Sequence, residues 1–349
     1  MKNKSIVVSR SDADWIKHFK MTGDIDYVQV HKDKQQSSLV GKMENFLGAY
    51  HFIKYLISHR KMINQYQSLI VTGNNVALGA LLLRKLGILK NPKVVWWGFF
   101  LHSRASINLY RTLRVFFESK HVVYILFSYF EESLYKNVFG KNTTTFILPY
   151  GIWNETISIS MEEQAYYFSG GYSNRDYLPL IEAFRGTTFE LVIIASKLNV
   201  ELDTIEIPNN VKILKDVDKD TFHNYMDKAA GVIIPLKNDL GSSGQMVTLN
   251  AMARGKLIII NDNSIMKEYI IHNESGFVVQ HIESDLIPLL KKINKNPIDK
   301  KRIQENVRQR YIDLYSKKPC IENTATILKA INTITLHQKR VVVFYLNCS

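Results

Sequence analysis

Residues 231–260 read GVIIPLKNDLGSSGQMVTLNAMARGKLIII. The stretch begins with an apolar run over 231–234 and ends with another over 257–260, and neither run alternates with polar residues. Between them, the spacing of apolar residues predicts a helix over 244–254. Two strands that are apolar throughout and joined by a helix run parallel and are buried on both faces. This stretch therefore predicts an α/β fold.

The same alternation of strand and helix continues along the whole chain. The sequence predicts strands at 6–8, 27–30, 68–71, 94–97, 122–127, 146–148, 166–169, 190–194, 211–213, 231–234, 257–260 and 277–279. Two such runs predict two doubly wound, Rossmann-like domains that face each other across a cleft. We place the first domain at 1–150 and the second at 151–325, and we expect 326–349 to form a helix or tail that packs back on the first domain.

Composition excludes several classes of protein. The chain has 349 residues, of which 46% are hydrophobic and 22% charged, so it can bury a sizeable core and is not disordered. The two cysteines, Cys320 and Cys348, exclude a disulfide scaffold and fit a reducing cytosol. No apolar stretch approaches the roughly 18–20 residues of a spanning helix, and we expect no signal peptide. We therefore expect a soluble or membrane-surface protein.

Positive charge is concentrated in the first half. Residues 1–150 contain 21 Lys and Arg and 9 Asp and Glu, a formal charge of +12 out of a total of +13. No acidic residue lies between Glu44 and Glu118, and a basic, aromatic helix is predicted over 107–117. This asymmetry favours an anionic membrane, a phosphorylated ligand or nucleic acid as partner, and the alternative is a solvated basic surface. With no nucleic-acid motif present, we expect no nucleic-acid partner.

The helix over 244–254 has the sequence of an anion site. Gly and Ser at its start permit a close backbone approach, and its free N–H groups and positive dipole end suit a diphosphate. The alternative is an ordinary capped helix. Arg175 and Lys197 follow the first two strands of the second domain, at strand ends where parallel sheets bind ligands. They are either the cations that neutralise that diphosphate or two solvated loop residues.

Several motifs in the second half resemble one enzyme family. The run NAMARGK at 250–256, an apolar strand, Glu268 and NESGFVV at 273–279 resemble the signature of retaining family-four glycosyltransferases with the GT-B fold. The segments LPYGI at 148–152 and GGYSNRDY at 170–177 are similar to two further elements of that family. The resemblance covers about residues 145–280 and implies a metal-independent enzyme that uses a nucleoside-diphosphate sugar, a UDP-sugar, as donor. It implies a donor site formed by Gly170, Gly171, Arg175, Lys197, Ser242, Ser243, Gly244, Gln245, Met246, Thr248 and Asn250.

The sequence departs from the family at two positions. Where the family has two glutamates eight positions apart, this chain has Ser242 and Asn250. Asn250 can hydrogen-bond ribose hydroxyls, but Ser242 brings no charge to the anomeric centre. The departure leaves open a second hypothesis, a non-catalytic GT-B homologue that binds a nucleotide sugar or glycan as a partner subunit.

In the first domain, three residues are candidates for the acceptor side of the reaction. Asp12 and Asp14 follow the first strand and could act as a general base, or they could cap the next helix. His102 follows the strand at 94–97 and is either near the donor sugar or solvated. The resemblance implies transfer, with retention, to a lipid-linked or oligosaccharide acceptor in the assembly of a bacterial-type capsule, O-antigen or exopolysaccharide. The predicted location is the cytoplasmic face of the plasma membrane.

Overall fold

The computed structural model describes residues 5–9, 25–30, 49–98, 104–112, 114, 121–141, 143–151, 163–238 and 243–333. Within them the chain divides into two compact units, the first formed by Met1–Pro149 and Cys320–Ser349 and the second by Tyr150–Pro319. Asp12, Asp14, His102 and Ser242 lie outside the described residues, as does the apolar run at 341–345.

The first unit is built on a six-stranded parallel sheet. Its strands have the order β2-β1-β3-β4-β5-β6. They are β1 (Ser5–Ser9), β2 (Ile25–Gln29), β3 (Ser68–Thr72), β4 (Lys93–Trp97), β5 (Val122–Leu126) and β6 (Thr144–Ile147). Residues 49–58 are helical, and they are followed by α1 (Arg60–Ile63), α2 (Asn74–Lys85), α3 (Arg104–Thr112) and α4 (Tyr129–Phe139).

The second unit has the same construction with a different strand order. Its sheet runs β9-β8-β7-β10-β11-β12, and every pair is parallel. The strands are β7 (Tyr166–Gly170), β8 (Glu190–Ala195), β9 (Val211–Lys215), β10 (Gly231–Ile234), β11 (Ile258–Asn261) and β12 (Phe277–Val279). The helices are α5 (Tyr177–Phe184), α6 (Lys219–Lys228), α7 (Gln245–Ala253), α8 (Met266–Tyr269), α9 (Ile282–Asn294) and α10 (Pro297–Leu314). The last helix, α11 (Lys317–Thr333), begins in the second unit and belongs to the first from Cys320 onward.

The core follows from the uniformly apolar strands. All five residues of β5 and of β7 are buried, which is the pattern of strands covered on both faces. Trp96 stacks on Tyr124, with ring centroids 5.8 Å apart, so Trp96 belongs to the core of the first unit. The predicted α/β fold with two doubly wound sheets is confirmed.

The end of the chain contacts the first sheet. The Asn332 side chain in α11 accepts a hydrogen bond from the Ser68 hydroxyl at 3.1 Å. The Lys93 ammonium donates to the Ile331 carbonyl at 2.6 Å. Among the described residues, no helix combines the length and the apolarity needed to cross a bilayer.

Candidate functional site

The strand order of the second unit creates a topological switch point between β7 and β10. These neighbouring strands feed connections that leave in opposite directions, and ligands of doubly wound sheets bind outside the carboxyl ends of such strands. The segments at this edge are 171–176 after β7, 196–199 after β8, and 235–238 with 243–244 between β10 and α7. They contain five of the eleven donor-site residues that the sequence predicts, namely Gly171, Arg175, Lys197, Ser243 and Gly244.

At the end of β7, two glycines leave no room for side chains. A Cβ atom on Gly170 would lie 2.6 Å from Cε2 of Phe222 in α6. Gly171 has φ +126°, and a Cβ atom there would overlap the guanidinium group of Arg175. Both positions therefore require glycine for packing inside the unit, because the Phe222 ring and the Arg175 guanidinium occupy the space that their side chains would take.

The Arg175 side chain holds this loop in place by hydrogen bonds to its backbone. It is buried, its Nε donates to the Gly170 carbonyl at 3.0 Å, and its Nη1 donates to the Ser173 carbonyl at 2.9 Å. Burial lowers the pKa of its guanidinium. The sequence left two alternatives for Arg175, a cation of the diphosphate site or a solvated loop residue. The second alternative is wrong, because the side chain is buried.

The loop containing Arg175 is joined to the loop after β10. The Asp176 amide donates to the Pro235 carbonyl at 3.1 Å, and the Lys237 amide donates to the Asn174 carbonyl at 3.2 Å. The Asn174 side chain adds a bond of 2.8 Å to the Asn238 carbonyl. These bonds fix the two sides of the switch point relative to each other.

Lys197 follows β8 and is the exposed cation of this edge. Its side chain is 79% exposed, and its Nζ lies 3.8 Å from Oδ2 of Asp216. The Lys197 amide also donates to Oδ1 of Asp216 at 3.2 Å, while Asn199 accepts from the Ser196 amide at 3.0 Å. The backbone of the loop is therefore held, and the ammonium remains accessible to a ligand.

The N-terminus of α7 has no capping side chain. Its N-cap is Gly244, with φ +89°, and this residue offers no side chain to the amides of the first turn. Those amides and the positive end of the helix dipole form an anion site by their chemistry. Ser243 is half-buried beside this end and Met246 is exposed in the first turn.

The next two predicted residues point into the fold. Gln245 is buried, and its Nε2 has no hydrogen-bond partner among the residues that the structure describes. Thr248 is fully buried, and its hydroxyl donates to the Gly244 carbonyl at 3.0 Å. The Thr248 hydroxyl is therefore bonded within the helix, and the assignment of Thr248 to the donor site stays a prediction.

Asn250 lies farther along α7 and is half-buried. Its Nδ2 donates to the Met246 carbonyl at 2.8 Å, and its Oδ1 accepts from Arg254 Nη1 at 3.2 Å. Arg254 in turn donates from Nε to Asp227 at 2.6 Å. Asn250 thus keeps one amide hydrogen available for a hydroxyl partner.

Sequence reasoning missed Glu201 and Lys237 at the same edge. Lys237 Nζ lies 3.5 Å from Glu201 Oε1, and Asn199 donates to the same oxygen at 3.4 Å. Burial opposes ionisation of Glu201, but backbone hydrogen bonding and Lys237 outweigh it and lower its pKa. Lys237 follows a strand end as Lys197 does, so the rule that found Lys197 also finds Lys237.

Metal ligands are not clustered in the described part of the chain. No group of three or more His, Cys, Asp or Glu side chains converges there. The assignments of Asp12, Asp14, His102 and Ser242 stay predictions, since these residues lie outside the described ranges.

The part of the chain that contains this site is similar to a known protein family. Residues 173–310 match the family described as Glycosyl transferases group 1. The matched residues include Arg175, Lys197 and all of α7, and therefore the switch point. No curated protein sequence is detectably similar to the chain.

Solved structures match across both units. Sucrose-phosphate synthase from Thermosynechococcus elongatus gives a TM-score of 0.69 at 14% identity, covering 94% of this chain and 99% of that one. Anabaena Alr3699/HepE in complex with UDP gives 0.66 at 12% identity, covering 94% and 100%. The lipopolysaccharide outer core galactosyltransferase WaaB in its apo form gives 0.66 at 11% identity, covering 93% and 99%. The chain has the GT-B fold.

Proposed function

We propose that the protein transfers a sugar from a nucleoside-diphosphate sugar to an acceptor hydroxyl. The observation that carries this proposal is the uncapped N-terminus of α7 at the β7/β10 switch point, within the segment that matches the group 1 family. A uridine diphosphate sugar is the proposed donor, because one similar structure contains UDP and another of the same protein contains UDP-glucose.

The diphosphate binds between Lys197 and the first turn of α7. As the bond between the anomeric carbon and the diphosphate oxygen breaks, its electron pair goes to that oxygen and adds negative charge. The Lys197 ammonium and the α7 amides stabilise this charge without a metal ion. Asn250 binds the ribose through its amide, and Gly170 and Gly171 let the backbone approach the ligand.

The reaction proceeds with retention of the anomeric configuration, as in the family that the motifs resemble. The acceptor oxygen bonds to the anomeric carbon on the face that the diphosphate leaves, and the acceptor proton passes to a phosphate oxygen. No strong protein base is then required. If the enzyme inverts, Asp12 or Asp14 is the base, and His102 lies near the sugar in either case.

The acceptor is a lipid-linked or oligosaccharide precursor of a bacterial-type surface polysaccharide, namely capsule, O-antigen or exopolysaccharide. The protein acts on the cytoplasmic side, peripheral to the plasma membrane. The first unit supplies the acceptor and membrane contacts, and its formal charge of +12 over residues 1–150 supports a lipid-diphosphate carrier as ligand.

A non-catalytic role is the second candidate, and the Asn250 position favours it. Its amide is neutral and already bonded to Arg254, so the charge that a glutamate would bring is missing. Such a protein would bind UDP-sugar and release no UDP.

Two measurements separate these functions. Thermal shift with UDP, UDP-glucose and UDP-galactose should raise the unfolding temperature, since a ligand at 100 times its Kd stabilises by about 2.7 kcal/mol. UDP release in the presence of membrane extract as acceptor source, with and without EDTA, then tests transfer. Binding without release supports the non-catalytic candidate, and the absence of binding to any nucleotide contradicts both.

A further inference from the structure

Two helices of the first unit pack side by side through a glycine. A Cβ atom on Gly79 in α2 would lie 2.7 Å from Cγ1 of Ile53, so the helix at 49–58 touches the α2 backbone there. Farther along, the Asn64 amide donates to the Ile88 carbonyl at 3.1 Å, and its oxygen accepts from the Lys90 amide at 2.7 Å. The ends of both helices are therefore held together as well.

Apolar side chains flank this contact and face the solvent. Tyr50 and Ile57 lie three and four positions from Ile53, so they share its side of the helix, and both are exposed. Leu82 and Leu86 lie three and seven positions after Gly79 and are 51% and 64% exposed. We call the exposed residues Tyr50, Ile57, Leu82 and Leu86, with the cations described next, the two-helix surface.

Cations border these apolar residues. Lys54, Arg60 and Lys61 are exposed on the first helix and the turn that follows it, and Lys85 and Lys90 are exposed at the end of α2. The sequence has no acidic residue from 45 to 117 that could neutralise them locally. Exposed leucines bordered by lysines and arginines are the composition of an interfacial membrane element.

We propose that the two-helix surface docks the protein on an anionic lipid bilayer. The leucines enter the boundary between headgroups and acyl chains while the cations contact the lipid phosphates and carboxylates. Nucleic acid is a poorer fit, because exposed leucines gain nothing from a phosphate backbone. This inference rests on the membrane contact that the proposed function gives to the first unit, and it locates that contact on particular residues of the chain.

The surface lies within the stretch that the sequence favours but not on its aromatic helix. Sequence reasoning based the membrane contact on the acid-free stretch between Glu44 and Glu118 together with the basic aromatic helix at 107–117, with packing of that helix on the sheet as the alternative. In α3, however, Ile107 and Tyr110 are buried, and Tyr110 packs on Phe139 with ring centroids 6.0 Å apart. The apolar face described for α3 is therefore used inside the fold, whereas that of the two-helix surface is not.

Vesicle flotation of the full chain tests the proposal. Vesicles of 70% phosphatidylcholine and 30% phosphatidylserine are compared with pure phosphatidylcholine at low and high salt. The triple variant Lys54→Ser, Lys61→Ser, Lys90→Ser should lower partitioning into anionic vesicles roughly a hundredfold, because each near-surface cation contributes about fivefold. The matched control, Lys291→Ser, Lys292→Ser, Lys295→Ser, removes three exposed lysines from the second unit and should leave partitioning within about twofold.

A leucine variant tests the apolar contribution to membrane binding independently of the charges. Leu82→Ser with Leu86→Ser keeps every charge and should still lower vesicle partitioning about tenfold, because two apolar side chains no longer enter the bilayer. Circular dichroism of each variant checks folding. Equal losses in the lysine variant and its control, or full partitioning by the leucine variant, overturn the proposal. So does tighter binding of wild-type protein to single-stranded RNA than to anionic vesicles at the same salt.

Discussion

A side chain at position 171 would overlap the guanidinium group of Arg175. The arginine reaches back under the loop to the carbonyls of Gly170 and Ser173, and the glycine leaves the space in which it lies. The shape of the β7 strand end thus depends on the two residues together.

Arg175→Met is expected to destabilise the protein by about 2–4 kcal/mol. Two carbonyls in a buried loop would lose a charged donor, and a buried group without its partner costs about 1–3 kcal/mol. Chemical denaturation measures the change. Arg185→Met is the control, because its ion pair with Glu182 is exposed and its loss should leave the stability nearly unchanged. An Arg175 variant that keeps its stability but loses UDP binding would show that the residue serves the ligand instead.

Lys197→Ala is expected to lower turnover by roughly 10²–10³, with stability nearly unchanged. The first effect follows from loss of the cation that stabilises the leaving diphosphate. The second follows because the Asp216 pair is solvent-exposed and such pairs contribute about 0–1 kcal/mol.

Lys301→Ala is the matched control for Lys197→Ala. The Lys301 side chain is 78% exposed and pairs with Glu305 at 4.0 Å, which is close to the exposure and the distance at Lys197. Initial rates of UDP release, compared with melting temperatures, measure both variants. Equal turnover in the two variants would rule out the cation role.

The sequence predicts the fold better than it predicts the site. Uniformly apolar strands such as β5 can be covered only by helices on both faces, so periodicity and order alone lead to two parallel sheets. The helix predicted over 244–254 begins at Gln245, because Gly244 takes φ +89° as its N-cap.

Side-chain direction is what the sequence leaves open. Arg175 and Lys197 both follow strand ends, yet one turns inward to backbone carbonyls and the other extends into solvent. Thr248 shares a helix with Asn250 but lies on its buried face. Such outcomes depend on contacts between distant segments, such as the bond between Asn174 and Asn238, which no local pattern contains.

Asn250→Ala is expected to weaken UDP binding about five- to tenfold, as for the loss of one hydrogen bond of roughly 1 kcal/mol. Isothermal titration with UDP measures the effect. Asn306→Ala removes a comparable bond, from Nδ2 to the Glu274 carbonyl at 3.1 Å in the α10 region, and should leave the affinity unchanged. An unaltered Kd for Asn250→Ala would remove this residue from the ribose site.

His223 in α6 should make stability fall on mild acidification. Burial, and then Arg254 and Lys219, lower its pKa below the ordinary 6.5, against the opposing charges of Asp227 and Asp220. The folded state then binds fewer protons than the unfolded state just below pH 6.5, so stability is lost as the pH falls through that window. His223→Gln should reduce the difference in unfolding free energy between pH 7.5 and 5.5. His281→Gln is the control, and an equal pH dependence in all three proteins would contradict the prediction.

Gln245→Met is expected to make the ligand-free protein more stable and the donor complex weaker. The buried Nε2 without a hydrogen-bond partner among the described residues carries a desolvation cost of about 1–3 kcal/mol, which an apolar side chain of similar length avoids. Gln245 is the first residue of α7, whose amides are proposed to hold the diphosphate, and we expect the donor to offer Nε2 an acceptor oxygen. Denaturation without ligand should therefore show a gain of about 1–2 kcal/mol, and titration should show a several-fold loss in UDP-glucose affinity. Gln304→Met, which removes an exposed bond to Glu163, should move neither quantity by more than about 0.5 kcal/mol. A gain in stability with full UDP-glucose affinity would mean that the orphaned amide has no part in donor binding.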